Sequence, residues 1–285
     1  MTPFTHDIAD YPDGIVLPID KPFRWTSADV IRKVKFAAIR HFRKKNLKVG
    51  HAGTLDPLAT GVLLVCIGPA CKRAQEFQDH DKGYVADIRF GATTPSYDLE
   101  KEVDRTFPFE HVTEEAVRSV LPSFLGTQEQ IAPLFSAKSV DGVRAYEMAR
   151  KLYRNAQKGI LDPDFDAAAL ETLHHSTITI SELELLDFKE ATSAHGASAS
   201  EGSADAQSTA SSRIHLTDTS SMGLPEAKIR IACSKGTYIR AFARDLGEAL
   251  GTGAHLSGLV RTKTGAFRLE DALTLDEALA LLAEN

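Results

Sequence analysis

The sequence predicts an α+β fold with a mostly antiparallel mixed sheet flanked by helices. Two observations carry that prediction. Segments with period-two alternation, among them "KGYVADIRFG" and "EAKIRIACS", read as half-buried strands. Helical segments such as "TSADVIRKVKFAAI" and "GTYIRAFARDLGEAL" stand between strands without the even strand–helix–strand rhythm of a doubly wound sheet.

In chain order, "GIVLPIDKP" (14–22) reads as a short buried strand ending in a proline turn. In "TSADVIRKVKFAAI" Thr26 or Ser27 can cap a helix, and Val30, Ile31, Val34 and Ala38 fall on one face. The loop "GHAGTLDPLATG" (50–61) follows, then the apolar run "VLLVCI", a buried strand. "GPACKRAQEFQ" reads as helical. In "KGYVADIRFG" the residues Tyr84, Ala86, Ile88 and Phe90 share one face. "TTPSYDLEKEVD" is rich in turn residues, and "VTEEAVRSVLPSF" starts with Thr113 and two acids, which suits a helix N-terminus. The alternation of "STITISELELLDF" (176–188) slips after Ser181, as a bulge would make it do. The stretch 190–213 is small and polar and cannot bury enough apolar area to order itself, so an exposed flexible insertion is expected there. "GTYIRAFARDLGEAL" places Ile239, Phe242, Ala243, Leu246 and Leu250 on one helical face, and Thr274 to Glu277 form a capping box for a last helix.

The 285 residues are 43% hydrophobic and 25% charged, an ordinary soluble composition that fits one large domain or two small ones. No apolar run approaches the roughly 20 residues that span a bilayer. The opening "MTPFTHDIADYPDG" lacks a secretory pattern. Cys66, Cys71 and Cys233 fit neither a disulfide framework nor a zinc site, and they point to a reducing cytoplasm. The net charge of −6 argues mildly against a nucleic-acid partner, but charge is uneven. The run from Arg32 to Lys48 is rich in Lys and Arg and holds no acid, a second basic stretch spans Lys138 to Lys158, and a third comprises Lys235, Arg240, Arg244, Arg261, Lys263 and Arg268. Such runs are either solvated helix faces or footprints for phosphates.

The loop at 50–61 carries one acid, Asp56, ahead of Pro57. Gly50, Gly53 and Gly61 let the backbone bend, and the proline biases Asp56 toward an extended conformation. The outcome is a rigid loop that presents one carboxylate, or else a tight turn whose Asp caps local N–H groups. No GxxxxGK[ST], GxGxxG, HExxH or GxSxG motif is present. Chemistry that depends on a carboxylate without a cofactor stays open.

Five segments, in order, resemble the TruB family of tRNA pseudouridine-55 synthases. They are "DKPFRWTS", "GHAGTLDPLATGVLLVCIGPACK", "DKGYVADIRFG", "PLFSAKSVDGVRAYEMAR" and "CSKGTYIRAFARDLGEALGTGAHLSGLVR", and they run from about residue 20 to 261. The resemblance implies a pseudouridine synthase fold with an inserted thumb. Residues 1–285 would then form a single catalytic domain, with the thumb at about 132–168, the insertion at about 190–213 and no full C-terminal PUA domain. It implies an isomerase (an intramolecular transferase) that turns uridine-55 in the T-loop of transfer RNA into pseudouridine, with base flipping and with neither metal nor cofactor.

By motif position Asp56 is the essential acid, ionised and close to the ribose. Arg240 pairs with it. Tyr84 stacks on the flipped base, Tyr238 and Leu259 enclose the nucleotide, and His51 occupies the space it leaves. Lys21 takes a supporting or phosphate role. Lys138, Arg144, Arg150 and Lys151 of the thumb would meet phosphates. The expected partner is the T-arm of transfer RNA, with no membrane, and the expected state is a cytoplasmic monomer. Two other readings remain: an RNA chaperone that opens the transfer-RNA elbow without chemistry, and an aspartyl phosphatase. The second needs a DxD pair for Mg²⁺, which "LDPLA" lacks.

Overall fold

The computed structural model describes residues 4–133, 139–140, 143–144, 175–192 and 214–283. Most of the expected thumb (132–168) and of the expected insertion (190–213) therefore lies outside the described residues, Lys138, Arg150 and Lys151 included.

The strands are β1 (Ile15–Lys21), β2 (Val49–His51), β3 (Ala59–Ile67), β4 (Lys82–Phe90), β5 (Ala92–Thr93), β6 (Arg105–Thr106), β7 (Gly126–Ile131), β8 (Ser139–Val140), β9 (Val143–Arg144), β10 (His175–Lys189), β11 (Glu226–Cys233), β12 (Ala254–Thr264) and β13 (Phe267–Arg268). The helices are α1 (Ser27–His41), α2 (Ala74–Asp79), α3 (Glu114–Val120), α4 (Ile239–Ala249) and α5 (Leu275–Ala280). A nine-stranded sheet runs β1-β3-β12-β4-β11-β10-β7, with β2 on β3 and β13 on β12. Its described strand pairings are antiparallel except β3 with β12, which run parallel from Leu259 opposite Ala59 to Arg261 opposite Gly61. The α+β reading holds.

Local chemistry explains most elements. Thr26, not Ser27, caps α1: its hydroxyl accepts from the Asp29 N–H, and the Asp29 carboxylate accepts from the Thr26 N–H. Val30, Val34 and Ala38 are then buried against β1, β3 and α5. β3 is apolar without alternation because both its faces are covered. Leu63, Val65 and Ile67 join the α1–α5 core, while Val62, Leu64 and Cys66 join a separate cluster with Phe77. α4 lays Ile239, Phe242, Ala243, Leu246 and Leu250 on the largest core, beneath β4 and β11. The expected slip after Ser181 is a register shift of β10 on β11 between Ile180 and Glu182. The helical reading of "GPACKRAQEFQ" resolves into a 3₁₀ turn, Gly68–Arg73, followed by α2.

Two of the longer strands carried no clear sequence signal. β7 is a mostly exposed edge strand of polar residues, so it has no apolar alternation. β12 is crossed by register shifts at Leu256/Gly258 and Arg261/Lys263, which break any period of two. Yet β12 is central. Its Arg261 lies opposite Gly61 of β3 on one side and Tyr84 of β4 on the other. The acid-bearing loop thus enters β3 at mid-sheet, beside the Tyr84 position.

Candidate active site

The loop between β2 and β3 is bent by Gly53 (φ +96°) and Gly61 (φ +99°). Gly50 lies in β2 without a positive φ, so the expectation for it is not met. At Gly61 a Cβ would sit 2.2 Å from the Arg261 carbonyl oxygen, so the close approach of β3 to β12 needs a glycine.

Buried polar groups hold this loop by its backbone. The Ser27 hydroxyl donates to the Leu55 carbonyl (3.1 Å) and accepts from the Leu55 N–H (2.9 Å). Arg261, buried, donates from Nε to Val62 O (2.6 Å), from Nη1 to Thr54 O (3.4 Å) and from Nη2 to Gly53 O (3.2 Å). Lys21 is 0% exposed, and its Nζ donates to the carbonyls of Trp25 (2.6 Å), Pro22 (2.9 Å) and Pro57 (3.2 Å). Burial pushes the Lys21 ammonium down to about 8, against the upward pull of Asp56. All its donors point inward, so it is placed to brace the residue after Asp56 rather than to meet a phosphate.

Arg240 stands in the first turn of α4 with its side chain 7% exposed, while that of Asp56 is 38% exposed. The guanidinium grips the carboxylate at two points: Nε lies 3.0 Å from Oδ2, and Nη2 donates to Oδ1 at 3.2 Å. Its third nitrogen, Nη1, donates to Ser96 O at 3.1 Å. Asp98 also approaches the guanidinium, with Oδ2 3.7 Å from Arg240 Nε. Asp98 Oδ1 accepts from Ser96 Oγ (2.6 Å) and from the Glu100 N–H (3.0 Å). Burial raises the Asp98 pKa and the Arg240 charge opposes that rise. Glu100 is pushed up to about 7 by burial and by the neighbouring Asp98 and Asp56. Arg240 Nε therefore has two aspartates beside it, one lining the cleft and one buried.

Above the pair opens a cleft of about 290 Å³, and Asp56, Tyr84, Tyr238, Arg240, Leu259 and Arg261 all line it. Tyr84 is 8% exposed, and burial raises its phenol pKa while the Arg261 charge opposes this. Tyr238 occupies the N-cap position of α4; Gln130 accepts from its N–H (2.8 Å) and donates to its carbonyl (3.2 Å). Leu259 packs against both major cores, at the seam where the cleft forms.

His51 is not among the residues lining the cleft. It ends β2, half-buried, and burial together with the Arg261 charge lowers its pKa. Three residues that the sequence reading did not assign to the site complete it: Ser27, offered there as a helix cap, Asp98 and Arg261. Arg261 stood in the third basic group as a candidate phosphate contact, as did Arg240. Both are buried and turned toward the protein's own oxygens. Among the described residues no group of three or more His, Cys, Asp or Glu is arranged to hold a metal ion. No described helix is long and apolar enough to cross a membrane.

Comparison with known proteins gives the chain its relatives. The family model for the TruB family pseudouridylate synthase N-terminal domain matches residues 40–160. That for the tRNA pseudouridylate synthase B C-terminal domain matches residues 240–285. A protein of Phocaeicola vulgatus named tRNA pseudouridine synthase B is 46% identical over 267 residues, covering 94% of this chain and 92% of that protein. A protein of the same name from Parabacteroides distasonis is 43% identical over 276 residues, covering 97% of this chain and 96% of that one. Among solved structures, a chain of a Cbf5-Nop10-Gar1 complex superposes with a TM-score of 0.57 at 23% identity over 96% of this chain. A chain of an H/ACA RNP bound to a substrate RNA containing 2'-deoxyuridine gives 0.54 at 22% identity. This chain spans 53–56% of the length of those solved chains, and at that identity the likeness concerns the fold. With two family models matched and relatives above 40% identical over nearly the whole length, the chain belongs to the TruB family of pseudouridylate synthases.

Proposed function

We propose that this protein isomerises uridine-55 in the T-loop of transfer RNA to pseudouridine, with Asp56 as the catalytic carboxylate. The reaction breaks the N1–C1′ bond, turns the uracil and joins C5 to C1′. C5 gives up its hydrogen as a proton and N1 gains one, so the change is an isomerisation without net redox chemistry. The observation that carries this reading is the two-point Arg240–Asp56 pair at the base of a cleft lined by Tyr84, Tyr238 and Leu259. A cleft of about 290 Å³ suits one extruded nucleotide better than a stacked duplex.

The placement of the cleft residues supports these roles, and the others rest on the family resemblance. Arg240 orients the carboxylate toward the ribose. Tyr84 offers a ring face to the flipped base, and Tyr238 and Leu259 close around it. Lys21 supports the loop through Pro57, as Arg261 does through Gly53 and Thr54. His51, at the head of the loop, fills the space that the extruded nucleotide leaves in the RNA. The partner is the T-arm, the protein acts as a cytoplasmic monomer, and residues 132–168 act as a thumb over the RNA.

The test uses T-arm RNA carrying tritium at C5 of uridine. The wild-type protein releases the label, and Asp56→Ala binds the RNA without release. Release by Asp56→Ala overturns the role of the acid. Tight binding with no release by the wild type overturns the activity and leaves an RNA chaperone.

A further inference from the structure

At the end of β3 away from Asp56 lies a second and larger concavity, a groove of about 610 Å³ between the N-terminal segment, the end of α1 and the turn after β3. Its floor includes Ile8, Phe42 and Leu47, and its walls carry Arg43, Lys44, Lys48 and Lys72. Several surface cations elsewhere on this acidic protein are matched to carboxylates, although Lys33, Lys35, Arg105 and Lys263 are not in ion pairs among the described residues. Arg73 meets Glu76 at 2.8 Å, Arg118 meets Glu114 at 2.6 Å, and Lys228 and Lys235 meet Asp87 and Asp79 at 2.9 Å. The four groove cations have no ion-pair partner among the described residues. Asp7, the acid on the wall, accepts from the Ala9 N–H at 2.8 Å and caps its own turn.

Backbone conformation adds an independent sign. Arg43 follows the C-cap of α1 with φ +49°, in the left-handed region where glycine is usual. An arginine kept there puts a long cation on the groove wall at a steric cost. Four unmatched cations around an open groove, on a chain of net charge −6, form a local trap for a polyanion. The nine residues of β3 separate this groove from Ala59, a distance of about 26 Å at roughly 3.3 Å per residue. That is too far for the loop whose base enters the cleft, and it suits phosphates of a helical stem beyond that loop.

We propose that the groove is a second RNA-docking surface, which takes the phosphate backbone of a helical stem outside the T-arm hairpin, in the same transfer RNA whose T-loop enters the cleft. The proposal rests on the activity reading above. Arg43, Lys44, Lys48 and Lys72 contact backbone only, so they add affinity and register without reading sequence.

The test compares the wild type with the triple variant Lys44→Gln, Lys48→Gln, Lys72→Gln on two RNAs, an unmodified full-length transfer-RNA transcript and the isolated T-arm hairpin. Filter binding and tritium release are both measured across salt concentrations, with melting temperature as the folding control. The variant keeps kcat on both RNAs and keeps its affinity for the hairpin. Its Kd and KM for the full-length transcript rise by about tenfold or more, and the slope of log K against log salt falls by about 2 to 3, near 0.9 per lost phosphate contact. An unchanged full-length Kd overturns the proposal, and so does an equal loss on both RNAs. Binding is read apart from release, so wild-type protein that binds both RNAs but releases no tritium would sink the activity reading while the groove is still judged by its Kd values.

Discussion

Asp56 owes its orientation to three buried cations that act on different atoms. Arg240 takes the carboxylate, while Lys21 and Arg261 take the carbonyls of Pro57, Thr54 and Gly53 on either side of it. This division makes a clear expectation for Arg240→Lys. The charge survives, the fork does not, and a lysine cannot hold both carboxylate oxygens and Ser96 O together. Turnover should fall by about 10²-fold with RNA affinity little changed, because a misplaced reacting group costs on that order; single-turnover kinetics beside filter binding would check it, and unchanged turnover would reject the ion-pair account. Glu100 makes a pH-dependent expectation. Its folded pKa, raised from 4.5 to about 7 by burial and by Asp98 and Asp56, means that the folded state holds its proton more tightly than the unfolded state. Its contribution to stability therefore declines as pH rises from 4.5 to 7, and a penalty remains above 7. Glu100→Gln should unfold at higher denaturant than the wild type at pH 8, and the gap should close toward pH 4.5. Asp56, Tyr84, Tyr238, Arg240 and Leu259 were legible because each sits inside a recognisable segment. Asp98 was not, because its partner Arg240 lies 142 positions away in the chain, and "TTPSYDLE" shows only turn residues.

β3 and β12 form the frame of the site, and their contact is close enough to fix one residue type. A methyl at Gly61 would meet the Arg261 carbonyl at 2.2 Å, and the positive φ adds strain. Gly61→Ala should cost about 2–4 kcal/mol in denaturant unfolding, and a larger loss of activity than of stability, since the shift moves both the loop and Arg261. The far end of the sheet depends on Glu226 of β11. Burial alone would raise this carboxylate, but bonds from Lys189 and Ser257 and the charge of Arg89 hold it down to about 2. Stability from a carboxylate lowered in this way is complete above pH 4.5 and lost as pH falls through about 2. Glu226→Gln should therefore be less stable than wild type by about 2–3 kcal/mol at pH 7, with the difference shrinking between pH 4.5 and 2. β1, α1, β4, α4 and α5 were legible from caps and periodicity, which are local signals. β7 and β12 were not: one is a polar edge, and the other buries Arg261 and breaks its own register, so neither shows the period of an ordinary strand.

Positive charge is divided between two tasks across the molecule. Arg240, Arg261 and Lys21 are buried and organise the protein's own oxygens, whereas Arg43, Lys44, Lys48 and Lys72 line an open groove without an ion-pair partner among the described residues. The sequence reading placed Arg43, Lys44 and Lys48 in one basic run and Arg240 and Arg261 in another, and offered both as solvated faces or phosphate footprints. The net charge of −6 conceals both, and RNA affinity should accordingly fall steeply with salt while kcat does not. On the proposed function, all of this serves a single placement, that of the Asp56 carboxylate against the sugar of an unstacked uridine. The structure of the protein bound to T-arm RNA measures that placement directly. It should show the uracil of uridine-55 out of the stack and against Tyr84, with C1′ within about 3.5 Å of an Asp56 carboxylate oxygen. A uridine left in the stack, or one whose sugar lies beside some other side chain, would contradict the account.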